Sequence, residues 1–510
     1  MSQQVINTAP RPAAPATAVP WRLTPGAVAL AVVVLGGVLR LYRYTALSLW
    51  VDEGITIGVS RLPWPDVLGL HGAYEVHPPL YFALTKAMSL LAPETDAGRL
   101  VSVIAGTLTL AVVYRLGARL VAPWAGVVAA LGLAVAPLHV WYSQEGRPYA
   151  LMTLLIALSY LALVAYVQAG RRGWVLVYAL AVLASVYTEY SASYALLPQG
   201  LVLVYLLRHE RRRAGVLIAA AGCAALAFLP WLPQLLHTAA SGPNKALFAV
   251  TPVRVASSLL SLAGLAEPLS QRGTAAEATA SLSAGDLALY GLLALAVTPA
   301  ALTGAVMLAR RSRLGLPVAV ALLAGTIVTG VVLSLVFPGY AKRTVLPALL
   351  GWALLIGAAP FAAGLPGRWR ALSLGSTALA LLIAAVTLTA TYRDGDKQHW
   401  RDLAAATMQV QAAGGTVVTY PTVAATLIGV YEPVVMTRPH VAIRDGGRLP
   451  ALTAPGGARP DRVWLAYLDF QGIEAVRADL AAQGYVRRSH TEYPDGLYLD
   501  QYTPSGSGAP

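Results

Sequence analysis

The chain has 510 residues, of which 57% are hydrophobic and only 12% charged, with a mean hydropathy of +0.61. Soluble domains carry about 25% charged residues, so this composition excludes a string of soluble domains and points to a polytopic membrane protein. A net charge of +13 would raise nucleic acid as a partner in a soluble protein. Here the basic residues stand in short clusters between apolar runs, where they report membrane topology instead.

Lysine occurs only at positions 86, 245, 342 and 397 among 37 basic residues, and Ala and Gly are abundant. This skew reads as a bacterial, G+C-rich genome. The single cysteine, Cys223, lies in an apolar run and is expected to be a small buried residue; it excludes an internal disulfide and a thiolate metal site.

Residues 1–22 are rich in Ala, Pro and Thr without periodicity and read as a disordered cytoplasmic tail. The first apolar run, about 24–41, is long enough to span and reads as an uncleaved anchor. The first outer loop, 42–99, then puts Asp52, Glu53, Asp66 and Glu75 beside a membrane. Charge next to hydrocarbon persists only when paired, hydrated or used, so this loop reads as the front of an active site completed by later loops. Adjacent carboxylates on an extended segment project to opposite sides. One of the two is therefore read as a proton acceptor and the other as orienting the loop or meeting a cation; a divalent cation held by the pair stays open. Pro78-Pro79 fix the backbone and set His77 and Tyr81 at the start of a short apolar stretch, 79–92. That stretch is too short to span and reads as interfacial or re-entrant; its N-terminal end suits a phosphate.

Further spans are expected at about 100–118, 124–140, 149–168, 174–188, 191–207, 214–231, 286–308, 315–336, 344–363 and 371–390, about eleven with the first. Connections alternate in charge. One set holds Arg115 and Arg119, Arg171-Arg172, Arg208 to Arg213, Arg310 to Arg313, and Arg368 and Arg370. The positive-inside rule assigns that set to the cytoplasm, with the N-terminus inside and the C-terminus outside. Arg40, Arg43, Arg61 and Arg99 break the rule on the outer side, so they are candidates for serving a ligand.

Three later outer segments carry chemistry. Glu145, Arg147 and Tyr149 close the turn after the third span; Arg147 is a candidate for a phosphate or a sugar hydroxyl. Glu189 is a lone acid at the next outer turn, with a structural partner to an arginine as the equal alternative. Tyr340, Lys342 and Arg343 precede the tenth span, where two cations and a tyrosine can hold a phosphate or simply snorkel to headgroups. From 393 to 510 the apolar runs shorten. Strands are expected at 415–420, 462–468 and 496–502, with helices at 423–431 and 472–483, which makes a small extracytoplasmic α/β domain. His399, Trp400 and Arg401 at its start are candidates for covering the site.

The Trp50-Val51-Asp52-Glu53 loop, the His77-Pro78-Pro79-Leu80-Tyr81 turn, the Gln144-Glu145-Gly146-Arg147-Pro148-Tyr149 segment and the Lys342-Arg343-Thr344-Val345-Leu346-Pro347 segment occur in this order. In this the chain resembles glycosyltransferase family 39, the protein mannosyltransferase-like group of GT-C membrane enzymes, and is similar to the bacterial lipid A aminoarabinose transferases. The resemblance covers about 40–390 well and the tail only in layout. It implies an all-α GT-C membrane domain over 23–392 and a sugar donor linked to polyprenyl phosphate, used at the outer face of the cytoplasmic membrane. It also implies membrane lipids and an envelope lipid, glycan or protein acceptor as partners, with inversion at the anomeric carbon. The family's catalytic aspartate matches Asp52, and its late basic residue matches Arg343, with Lys342 as rival. Its residue before Pro-Pro-Leu is often a lysine facing lipid phosphate, where this chain has His77. Its usual histidine or aromatic after the fifth span is here Glu189. The rival readings are a lipid or sugar transporter, which would place ionisable groups near mid-membrane, and a non-catalytic envelope-assembly protein.

Overall fold

A computed structural model of the chain describes residues 23–70, 77–241, 249–265, 284–362, 365–394, 398–444, 446–453, 457–469 and 472–506. The expected tail 1–22, Glu75 and residues 242–248 and 266–283 lie outside them.

A helix stands at each place where a span was expected. Among the described residues, seven are long and apolar enough to cross a membrane, including Glu94–Leu120, Tyr149–Ala169 and Gly367–Arg393; a bent pair makes up to eight. Pro25–Leu41, Gly173–Val186 and Ala348–Phe361 are apolar but shorter. The expected single span at 124–140 is instead two helices, Pro123–Ala134 and Pro137–Ser143, bent by 66°. Pro137 has no N–H to continue the first helix. The carbonyls released at the break, Leu133 and Ala134, face the Arg40 guanidinium at 3.3 and 3.5 Å. Arg40 is fully buried and also meets His139 Nδ1 at 2.7 Å, so it serves the fold and not a ligand.

Tyr149–Ala169 is the inner helix of the membrane part, with 83% of its spanning window buried, whereas the helix beginning at Arg211 has only 17% of its window buried. The latter carries Cys223, which is exposed, contrary to the burial expected from its apolar run. A uniformly apolar helix has no sequence cue for which side meets lipid. The stretch after His77 forms the helix Leu80–Met88, nine residues, too short to span. Lys86 Nζ donates to the carbonyls of Ser60 and Leu62 at 3.0 and 2.7 Å and lies over the Trp64 ring.

The C-terminal domain is a five-stranded sheet, with β1 Thr416–Tyr420, β2 His440–Ala442, β3 Val463–Leu468, β4 Tyr485–Tyr493 and β5 Leu497–Pro504 in the order β2-β1-β3-β5-β4. β1 pairs in parallel with β2 and β3, and β5 runs antiparallel to β3 and β4. Helices Trp400–Ala412, Thr422–Tyr431 and Ile473–Ala482 cover it. The expected three strands are present; β2 and β4 are additional. β4 reads Tyr-Val-Arg-Arg-Ser-His-Thr-Glu-Tyr and is mostly exposed, a charged edge strand with little apolar alternation to betray it.

This domain sits on the connection that follows the first helix. Leu49 and Ile57 share a core with Trp400, Leu403, Leu427 and Leu499. Leu49 N–H donates to the Tyr431 hydroxyl at 2.5 Å, and Arg401 donates to the carbonyls of Thr45 and Ala46 at 2.8 and 3.0 Å. Trp400 is fully buried and His399 meets Asp495 at 3.2 Å, so these two build the domain. The join is close enough to require glycine at 54, where a Cβ would come within 2.6 Å of Leu427 Cγ. Gly54→Ala is expected to lower stability by about 1–3 kcal/mol through overpacking. Thermal unfolding checks this, and Gly54→Ala added to Leu427→Ala should cost nothing further.

Candidate active site

The first outer connection turns into the helix Val51–Arg61 after Trp50, whose backbone is extended. Acids in a first helical turn meet the positive end of the helix dipole. Glu53, at the third helical position, also accepts from the Trp50 N–H at 3.3 Å, as in a capping box. The segment is thus helical and not extended, and the carboxylates of Asp52 and Glu53 diverge by about 100°.

Glu53 is buried and bonded within the fold. Its Oε1 accepts from Arg99 Nε at 2.7 Å and from the Gly146 N–H at 2.8 Å, and its Oε2 accepts from the second Arg99 nitrogen at 2.7 Å. Arg99 itself donates to the carbonyls of Tyr44, Leu47 and Ser48 at 2.7, 3.1 and 3.1 Å. One buried ion pair therefore ties the loop 44–50, the helix Glu94–Leu120 and the turn at Gly146 together. Arg61 pairs with Glu94. Of the outer arginines that break the positive-inside rule, Arg40, Arg61 and Arg99 all serve the fold.

Asp52 has a different setting. Its Oδ2 lies 3.7 Å from Arg343 Nη1 and 3.9 Å from Arg147 Nε, and its side chain keeps 20% of its surface exposed. These separations exceed a hydrogen bond, so the carboxylate faces two cations without being clamped by them. Arg147 is held from below, donating to the Asp52 carbonyl at 3.3 Å and to Thr56 Oγ1 at 3.2 Å. Arg343 lies over the rings of Trp50 at 5.8 Å and Tyr149 at 5.6 Å. Burial pulls its proton affinity down, but Tyr149 and Asp52 outweigh that and the net shift is upward, so it stays a cation. Residues from the connection after the first helix, the turn after the third span and the segment before Ala348–Phe361 thus meet at Asp52.

His77 Nδ1 lies 2.7 Å from Glu189 Oε2. Glu145 is fully buried, within electrostatic reach of Arg99 and Arg343, and Lys342 is buried next to Arg343 in the chain. Two sequence candidates stand elsewhere. The Tyr81 hydroxyl donates to the Gly98 carbonyl at 2.7 Å and meets Ser102 Oγ at 2.9 Å inside the helix packing. Tyr340 is buried with Tyr194 and Val345. Asp52 and Glu53 do not converge on a common point for a cation, and no group of three His, Cys, Asp or Glu is placed to hold a metal among the described residues. Sequence reading missed Thr56, one helical turn after Asp52, and Gln398, whose Oε1 accepts from the Val51 N–H at 2.9 Å. It noted Arg99 only for its wrong-sided charge.

Residues 76–237 match the model of a family described as dolichyl-phosphate-mannose-protein mannosyltransferase. No curated protein matches the chain significantly. Among solved structures, ArnT from Cupriavidus metallidurans in the apo state has a TM-score of 0.56 at 14% identity, over 94% of this chain and 98% of that one. The same protein bound to undecaprenyl phosphate has a TM-score of 0.52 at 13% identity, over 92% and 97%. The alignment therefore spans both the helical part and the C-terminal sheet domain. The chain thus shares its overall fold with ArnT, with seven helices long and apolar enough to cross a membrane among the described residues, and over residues 76–237 it is similar to the mannosyltransferase family named above.

Proposed function

We propose that the chain moves a sugar from a polyprenyl-phosphate-linked donor to an envelope lipid, glycan or protein at the outer face of the cytoplasmic membrane. The observation that carries this reading is the Asp52 carboxylate 3.7 and 3.9 Å from the Arg343 and Arg147 guanidiniums, on connections between apolar helices. Transfer to a hydroxyl needs a base for the acceptor's proton and cations for the charge that develops on the departing phosphate. Asp52 takes the proton as the acceptor oxygen bonds to the anomeric carbon and the carbon–oxygen bond to phosphate breaks. Arg343 and Arg147 receive the phosphate, with Lys342 and His77 as further cations. Arg343 lies between two aromatic rings, so little ordering remains to be done when the donor arrives. Glu53 and Arg99 hold the loop that carries Asp52.

The same convergence supports a sidedness for this reading. Asp52, Arg147 and Arg343 meet, and the Arg-rich connections at 115–119, 171–172, 208–213, 310–313 and 368–370 fall between the connections that carry the site. By the positive-inside rule that puts the N-terminus in the cytoplasm and the site and C-terminal domain outside. The relative from C. metallidurans binds undecaprenyl phosphate, which supports a lipid phosphate of that kind as the leaving group here.

Donor binding tests the reading. Arg343→Ala is expected to weaken affinity for a polyprenyl-phosphate sugar by about 10- to 150-fold, the equivalent of about 1.5–3 kcal/mol for a charged hydrogen bond. Titration of the purified chain in nanodiscs measures this. Unchanged affinity in a folded variant removes Arg343 from the site.

A further inference from the structure

The connection that carries His77 is tied to the turn that carries Glu189. The Leu80 N–H donates to the Tyr187 carbonyl at 3.0 Å, and three residues earlier His77 Nδ1 meets Glu189 Oε2 at 2.7 Å. The Glu189 side chain is only 6% exposed. Its other oxygen accepts from the N–H and the hydroxyl of Ser191, both at 3.3 Å. A carboxylate this deeply buried persists only with such partners. Burial pushes the Glu189 carboxyl up, yet His77, Ser191 and Arg147 outweigh it and hold it below its ordinary range. It is therefore an anion at neutral pH, within electrostatic reach of Arg147 and Tyr149.

An anion there is a poor direct neighbour for a phosphate, since like charges repel in a partly buried site. We propose that Glu189 is a positioning residue that does not itself meet substrate: by accepting the Nδ1–H of His77 it fixes the imidazole so that Nε2–H meets the phosphate of the lipid-linked donor. The partner of one ring nitrogen decides the role of the other. In the donor complex the ring bridges two anions, Glu189 at Nδ1 and the phosphate at Nε2, and only the doubly protonated imidazolium donates to both. This rests on the reading of the chain as a polyprenyl-phosphate-dependent transferase. It also turns two unrelated polar positions, one before a proline pair and one after the fifth span, into a single device.

A double-mutant cycle on the full chain in nanodiscs, with undecaprenyl phosphate as the probe, tests the proposal. Glu189→Gln is expected to weaken binding by about tenfold, and to raise KM for the sugar-linked donor more than it lowers kcat. In a His77→Ala background the same substitution should change nothing, because its effect runs through the ring. His77→Lys, whose ammonium needs no tautomer set, should keep binding within about threefold and be insensitive to Glu189→Gln. Additive losses in the cycle, or unchanged binding in Glu189→Gln, overturn the proposal. A measurement on the unmutated chain covers the case in which Glu189→Gln fails to fold. With 15N-labelled histidine, assigned by His77→Ala, Nε2 of His77 should shift when undecaprenyl phosphate is added while Nδ1 stays. A shift at Nδ1 alone, or at neither, overturns it. A wild-type chain that does not bind undecaprenyl phosphate at all instead overturns the donor assignment; binding with additive losses overturns the role of Glu189 alone.

Discussion

Asp52→Asn is expected to lower sugar transfer by about 10²–10⁴-fold, the usual cost of losing a general base. Asparagine keeps the shape of the side chain and removes the proton acceptor. Donor affinity should not fall with turnover. The Asp52 carboxylate lies 3.7 Å from Arg343 and 3.9 Å from Arg147. A donor phosphate must compete with it for the same guanidiniums, so the amide should leave affinity unchanged or raise it. The opposite split belongs to Arg343→Ala, where binding suffers first. Radiolabelled transfer from a polyprenyl-phosphate sugar, measured beside donor titration on the same preparations, separates the two. Near-normal turnover in Asp52→Asn would sink the mechanism proposed here, whatever the binding data say.

Much of this arrangement could be read from residue order, and the part that could not has a physical cause. Apolar runs reported the helices well, because a spanning helix has no alternative way to satisfy its backbone. They did not report the break at Pro137, which needed Arg40 from a distant helix to take up the freed carbonyls. Short polar segments between spans pointed to Asp52, Arg147 and Arg343, but their meeting depends on helix packing that no local pattern encodes. Asp52 and Glu53 illustrate the limit most clearly. Adjacent in sequence and chemically alike, they differ in that Glu53 faces Arg99 and Gly146 while Asp52, partly exposed, faces Arg343 and Arg147. Only the helical turn at Val51, and an arginine 46 positions away, separates their roles. The wrong-sided charge of Arg99 was the signal available, and it marked a buried partner and not a ligand. In the sheet domain, β4 escaped notice because an exposed edge strand is built from the same charged residues as a loop.

Arg99→Met is expected to be the most destabilising single substitution near the site. It removes the guanidinium that neutralises Glu53 and leaves a carboxylate with almost no exposure, whose Gly146 and Trp50 N–H partners carry no charge. Breaking a buried ion pair from one side typically costs about 3–5 kcal/mol, because the remaining charge is uncompensated. The loss is compounded here, since Arg99 also satisfies the carbonyls of Tyr44, Leu47 and Ser48. Glu53→Gln should be milder. The amide keeps the shape and an acceptor for the Gly146 N–H, and the arginine retains its three carbonyl partners. The double variant, Glu53→Gln with Arg99→Met, should be more stable than Arg99→Met alone, because no buried charge is left over. Thermal unfolding in nanodiscs measures all three. The functional consequence follows from geometry: the pair anchors the turn that carries Asp52, so a folded Glu53→Gln chain should lose turnover while keeping donor affinity. If Arg99→Met unfolds at the wild-type temperature, or the double variant is the least stable of the three, the pair is not what holds this loop in place.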